Sequence, residues 1–190
     1  MYSMEGAVIG SDHTVLAKQE SDQRIARIIK DYTECIGYLN DFFSLVYDDG
    51  CRECIETSTV CCCVGGFEYV GGPASDKIDE MRDELYAKAV ERGARFDGYC
   101  GHLDLDSGCV ISELKSPTCA VAFCHGEKVE EKYGIEYDMD DLRKELEYVL
   151  ADCEKGDKCS IPVANQDRIQ EFKDYLKDMI GKVENVQGKP

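Results

Sequence analysis

Five thiols fall within thirteen residues, at Cys51, Cys54, Cys61, Cys62 and Cys63. Three consecutive side chains cannot all point into one apolar core, whichever element carries them, so packing does not account for the Cys61-Cys62-Cys63 triplet. Sulfur ligation of a metal does, because short spacings let one loop present two sulfurs to one centre. Cys51-x2-Cys54 has that spacing. A second group follows at Cys100, Cys109, Cys119 and Cys124, in a loop-rich stretch where Pro117 argues against one long helix.

The alternative use of so many cysteines is a disulfide framework, which needs export. Met1 to Glu20 shows no basic segment followed by an apolar run, only Ala7-Val8-Ile9 broken by Gly10-Ser11-Asp12-His13. No stretch approaches the ~20 apolar residues of a membrane span. The expected setting is therefore a reducing cytoplasm, where clustered cysteines serve metal or redox chemistry. Twelve cysteines in 190 residues also fall short of a small disulfide scaffold. The net charge of -17, from 39 acidic and 22 basic side chains, repels phosphate backbones and disfavours nucleic-acid binding. It suits solubility or a basic protein partner.

The rest of the chain reads as mainly α. Residues 1–20 carry no periodicity and are expected to be a loose arm. Ser21 is placed to cap a helix of about seven turns, near 40 Å long, with apolar residues at Ile25, Ile29, Tyr32, Ile36, Leu39, Phe43 and Val46, widened by Ile28, Cys35 and Phe42. Ser75 is expected to cap a second helix with Ile78, Met81, Leu85 and Ala89 inward, stopped by Gly93. Asp138 and Asn165 are expected to cap two more. One carries Met139, Leu142, Leu146, Val149 and Leu150; the other carries Ile169, Phe172, Leu176, Met179 and Ile180 and ends at Gly181. Gly65-Gly66, between two short apolar runs at Val60–Val64 and Phe67–Val70, predicts a β-hairpin.

The expected organisation is thus an arm (1–20), a helix plus cysteine-rich metal-binding domain (21–137), a helical pair packed on it (138–181) and a tail (182–190). Candidate ligands are Cys51, Cys54, Cys61, Cys62, Cys63, Cys100, Cys109, Cys119 and Cys124. Cysteine-only ligation with three histidines in the whole chain favours an iron–sulfur cluster, such as 4Fe-4S, over zinc. His102 and His125 adjoin ligand candidates but read as solvated loop histidines. Cys35 and Cys153 read as core. Cys159 lies in a charged loop, where pairing with Cys153 is conceivable.

The second cysteine group also carries a family pattern. Cys100-Gly-His-Leu-Asp, Gly108-Cys109-Val-Ile-Ser-Glu, Ser116-Pro117-Thr118-Cys119 and, beyond Cys124, Tyr133-Gly134-Ile135 together resemble the zinc- or iron-chelating domain family named for its C-x2-C-x2-C-C motif. The resemblance covers about Cys51 to Ile135 and implies eight ligand candidates with four spare cysteines. The chain departs from the pattern in placing six residues between Cys54 and Cys61, so two of Cys61, Cys62 and Cys63 fill the double-cysteine position without the sequence choosing which. Ser116 and Ser112 stand where the family has arginine and tyrosine. The resemblance implies metal binding and no particular reaction, although members can be fused to a protein-lysine methylating activity. An accessory role beside a modifying enzyme is therefore an alternative. No nucleotide-binding glycine loop or His-Glu-x-x-His is present, which argues against an enzyme.

Overall fold

The computed structural model describes residues 10–46, 72–96, 100–122, 126–151 and 165–188, with side chains from residue 18 onward. The chain is mainly α. Helix α1 spans Gly10–Val46, α2 Pro73–Glu91, α3 Pro117–Val121, α4 Gly126–Tyr133, α5 Met139–Leu150 and α6 Gln166–Gln187. Between α2 and α3 lie two short antiparallel strands, β1 (Leu103–Asp104) and β2 (Gly108–Cys109), and a 3-10 turn at Ser112–Leu114.

α1 is the axis of the fold. Its stripe of Ile28, Tyr32, Cys35, Ile36, Leu39, Phe42 and Phe43 is buried, chiefly against α6, with α5, α2, α3 and the 3-10 turn around it. One continuous core takes in residues from all six helices, among them Ile78, Val121, Val129, Leu146, Leu176 and Met179. The apolar stripe of this helix is thus buried against other helices of its own chain.

Helix ends separate what local chemistry decides from what packing decides. Asp138 caps α5 as expected: its Oδ1 accepts from the N–H groups of Asp140 (2.8 Å) and Asp141 (3.0 Å). Asn165 caps α6 through the Asp167 N–H at 2.9 Å. Asp138→Ala should therefore destabilise the protein by about 1 kcal/mol in urea unfolding, through two orphaned amides at the start of α5.

Elsewhere the expected boundaries move. Residues 10–20, expected within a loose arm, are the first turns of α1, so Ser21 lies inside the helix rather than at its cap. α2 begins at Pro73, whose fixed φ suits the first helical position, after Gly72 at φ 99. Ser75 is then buried inside the helix, and its Oγ has no partner among the described residues. Gly93, at φ +81, does follow the end of α2. α6 runs through Gly181 and part of the expected tail to Gln187, because burying Val183 outweighs the roughly 1 kcal/mol that a mid-helix glycine costs. It ends at Gly188 in the left-handed region, φ 67. Met139, expected in the core, is 46% exposed, since the first residue of a helix leans back beyond the packed face. The hairpin expected over residues 60–70 lies outside the described residues.

Tyr137 fastens the α4–α5 connection to the bundle. Its ring stacks on Phe42 at 6.1 Å and 9°, meets Phe43 edge-on, and its hydroxyl donates to the Val121 carbonyl at 2.5 Å. A Cβ at Gly126 would lie 3.1 Å from the Tyr137 ring, so the glycine admits this close approach. Tyr133-Gly134-Ile135 has a structural sense as well: Gly134 closes α4 at φ 63, and Ile135 turns back into the core.

Candidate metal centre

The stretch from Cys100 to Cys119 is held in shape by polar side chains rather than by its own core. After α2, the backbone returns as three short segments: Phe96 bridges Asp104, and Leu103 pairs with Cys109. Asp104 organises the hairpin. Its carboxylate accepts from the Arg95 N–H (3.0 Å), the Asp106 N–H (3.3 Å) and the Ser107 hydroxyl (2.5 Å). Those hydrogen bonds, led by Ser107, hold its pKa below the usual carboxylate range. Gly108, at φ +87, makes the turn into β2. The Leu103 N–H donates to the Cys100 carbonyl at 3.1 Å, and the Val110 N–H to the His102 carbonyl at 2.9 Å. Cys100 and Cys109 are thereby anchored at neighbouring points of one hairpin.

The next segment is clamped to α1 and α2 by its carbonyls. Tyr32 donates to the Lys115 carbonyl, Asn40 Nδ2 to the Ser112 carbonyl at 3.0 Å, and Arg82 Nε to the Leu114 carbonyl at 2.6 Å. Lys115 Nζ returns a bond to Asn40 Oδ1 at 2.7 Å. Ser116, fully buried, then caps α3 by accepting from the Cys119 N–H at 3.2 Å. Two helices thus set where the backbone runs between the second and third cysteines of this group.

Cys100, Cys109 and Cys119 are each partly buried. Burial raises the pKa of Cys109, the Ile111 N–H and Lys115 oppose that shift, and the sulfurs of Cys100 and Cys119 add to it. Three cysteines spread over twenty residues of sequence therefore share one electrostatic neighbourhood. A backbone N–H directed at a sulfur is the outer support that a ligating thiolate uses, and cysteine sulfur is the right donor class for zinc or an iron–sulfur centre. The described part of the set fits such a group in chemistry. It does not complete one: among the described residues, no group of three or more His, Cys, Asp or Glu side chains is arranged to hold a metal ion.

Of the nine candidate ligands, Cys51, Cys54, Cys61, Cys62, Cys63 and Cys124 lie outside the described residues, as do Cys153, Cys159 and the side chains of His13 and His125. Cys35 is core, as expected. Burial pushes its thiol up to about 12, which leaves it protonated and inert at neutral pH. His102 differs from its expected solvated state. It is half-buried and meets the Tyr86 ring edge-on at 5.8 Å, while Tyr86 stacks on Phe96 at 4.7 Å. Burial first, and then the Arg82 charge, lowers its pKa, so the imidazole is neutral at pH 7.

Tyr32, Asn40 and Arg82 were not anticipated as supports. Arg82 had a visible sign in the sequence, since it follows Met81 on the inward side of α2 and lies four residues after Ile78, where a cation needs a partner. Among the described residues no helix is long and apolar enough to cross a membrane. No protein-family model matches the chain, and no curated protein or solved structure matches it either.

Proposed function

We propose that this chain is a cysteine-rich metal-binding protein of a reducing, cytoplasmic setting, in which an iron–sulfur cluster braces the fold and passes electrons to a protein partner. The observation that supports this reading is the shared neighbourhood of Cys100, Cys109 and Cys119, with the Ile111 N–H directed at Cys109. Hydrogen bonds to sulfur and partial burial are the levers by which a protein sets the potential of such a cluster. In this reading some of Cys51, Cys54, Cys61, Cys62, Cys63 and Cys124 supply the remaining sulfurs. The negative charge of the chain disfavours nucleic acid as the partner.

Anaerobically purified protein tests this directly, by metal analysis together with visible spectroscopy. The expected result is bound iron with broad charge-transfer absorption that bleaches on reduction. Cys109→Ser should weaken metal retention by about 100-fold or more, since even outer supports of a ligand carry 10–100-fold. Cys35→Ala should retain the metal, because Cys35 lies in the core. Zinc in a colourless protein would replace the cluster with a structural zinc module, to which the same thiols are suited. Protein with neither metal overturns the proposal.

A further inference from the structure

A groove of about 820 Å³ opens between α5, α6 and the segment joining α4 to α5. Ile135, Leu142 and Phe172, all buried, form its floor. The rim is acidic, with Glu136, Asp138, Asp141, Glu145 and Glu171 against two cations, Arg168 and Lys182. Both cations are already engaged. Arg168 forks onto Glu145 at 3.0 and 2.6 Å and lies 4.0 Å from the Tyr148 ring. Lys182 pairs with Asp178 at 2.8 Å. Glu136 and Glu171 are exposed carboxylates facing this space with no cation of the groove assigned to them. Tyr175, 41% exposed, presents a ring face beside them while its hydroxyl donates to the Glu136 carbonyl at 3.3 Å.

We propose that this groove docks a basic amphipathic segment of a partner protein, with lysine or arginine side chains on the acidic rim and an intervening apolar side chain over the Tyr175 ring. Charge complementarity argues for the basic character, because the rim adds a local negative field to a chain of net charge -17. The volume and the 41% exposed Tyr175 ring argue for a peptide over a bare cation, since a cation alone would leave that ring largely wet. An exposed tyrosine ring also attracts an arriving guanidinium or ammonium. The proposal is independent of the metal reading.

The probe is a synthetic peptide of alternating lysine and leucine, titrated into the full chain while backbone amide NMR shifts and fluorescence anisotropy are followed. Its control has every lysine replaced by glutamate. Saturable shifts should concentrate at Ile135, Leu142, Phe172 and Tyr175. The double variant Glu136→Gln/Glu171→Gln, two surface isosteres that leave folding intact, should weaken binding about tenfold. Glu84→Gln/Glu91→Gln on α2, which lines no part of the groove, removes the same charge and should weaken it less than about twofold. Equal weakening by both double variants would reduce the interaction to general charge and overturn the proposal. So would shifts scattered over the surface, equal binding of the glutamate peptide, or no binding. Groove amides that move with the concentration of the protein alone would assign the surface to a second copy instead.

Discussion

Lys173→Met should destabilise the protein by about 3–5 kcal/mol, the range for leaving a buried charge without its partner. Lys173 reaches from α6 into the α1 interface, where its Nζ donates to Asp31 at 2.7 Å and to Glu34 at 2.6 Å. Its side chain and that of Asp31 are 8% and 10% exposed, so neither charge has water to fall back on. The second oxygen of Asp31 has no hydrogen-bond partner among the described residues, which concentrates the compensation on this one cation. Methionine keeps the length and packing of the stem, so the loss measured by urea unfolding reports the charge rather than a cavity.

The pH dependence identifies the origin of that loss. Glu34 is held below the ordinary carboxylate range, first by its hydrogen bond from Lys173. Its contribution is therefore present above the unfolded carboxylate pKa and is lost as pH falls through the lower folded value. For Lys173, burial works against the charge, but the bonds to Asp31 and Glu34 outweigh it and raise the pKa. That contribution is full below the unfolded lysine pKa and is lost as pH rises through the higher folded one. The stability difference between wild type and variant should thus be level between about pH 5 and pH 10. It should narrow on both sides. A difference independent of pH across the acid limb would mean that packing, and not the ion triad, was removed.

The second large effect is expected at Arg82. Arg82→Met should lower stability by about 2–3 kcal/mol, because a charged donor is removed from a buried carbonyl that cannot turn to water. Leu114, the owner of that carbonyl, is 3% exposed. Asp79, a second partner at 2.6 Å, is half-exposed and can be solvated, so it adds little. The consequence reaches the cysteines, since Leu114 lies midway between Cys109 and Cys119 and its carbonyl is one of three clamped onto α1 and α2. Amide hydrogen exchange should therefore rise over residues 110–119 well before it rises in α5 and α6. Tyr32→Phe offers a milder comparison at the neighbouring carbonyl of Lys115, removing the hydroxyl that donates to it while keeping the ring in the core. If exchange rises equally in α5 and α6, the clamp is not a local device.

The helical character was legible because the spacing of Ile28, Tyr32, Cys35, Leu39 and Phe42, and of Leu142, Leu146 and Val149, repeats with the helical turn, and every one of these residues is buried. The caps at Asp138 and Asn165 were legible because an acceptor side chain at a helix start acts on amides two or three residues away. Where the outcome depended on balance, local reading failed. Gly181 carries a breaker's signature, but Met179 and Val183 on either side of it belong to the core and carry the helix through. The hairpin at residues 103–109 has strands of only two residues and no alternating pattern. It rests on Asp104, whose several hydrogen-bond partners are visible only once the turn is formed.

The sequence alone determined that the chain is built of amphipathic helices, and that it carries more thiols than packing can explain. It grouped Cys100, Cys109, Cys119 and Cys124 as candidate ligands by their spacing alone. What the tertiary structure decided is which polar side chains hold the backbone between Cys109 and Cys119. Tyr32 acts on Lys115 across 83 positions and Arg82 on Leu114 across 32, and Lys173 reaches Asp31 across 142. Periodicity records which face of an element is buried, whereas the partner of a buried polar group is set by how elements dock, and no local spacing encodes that.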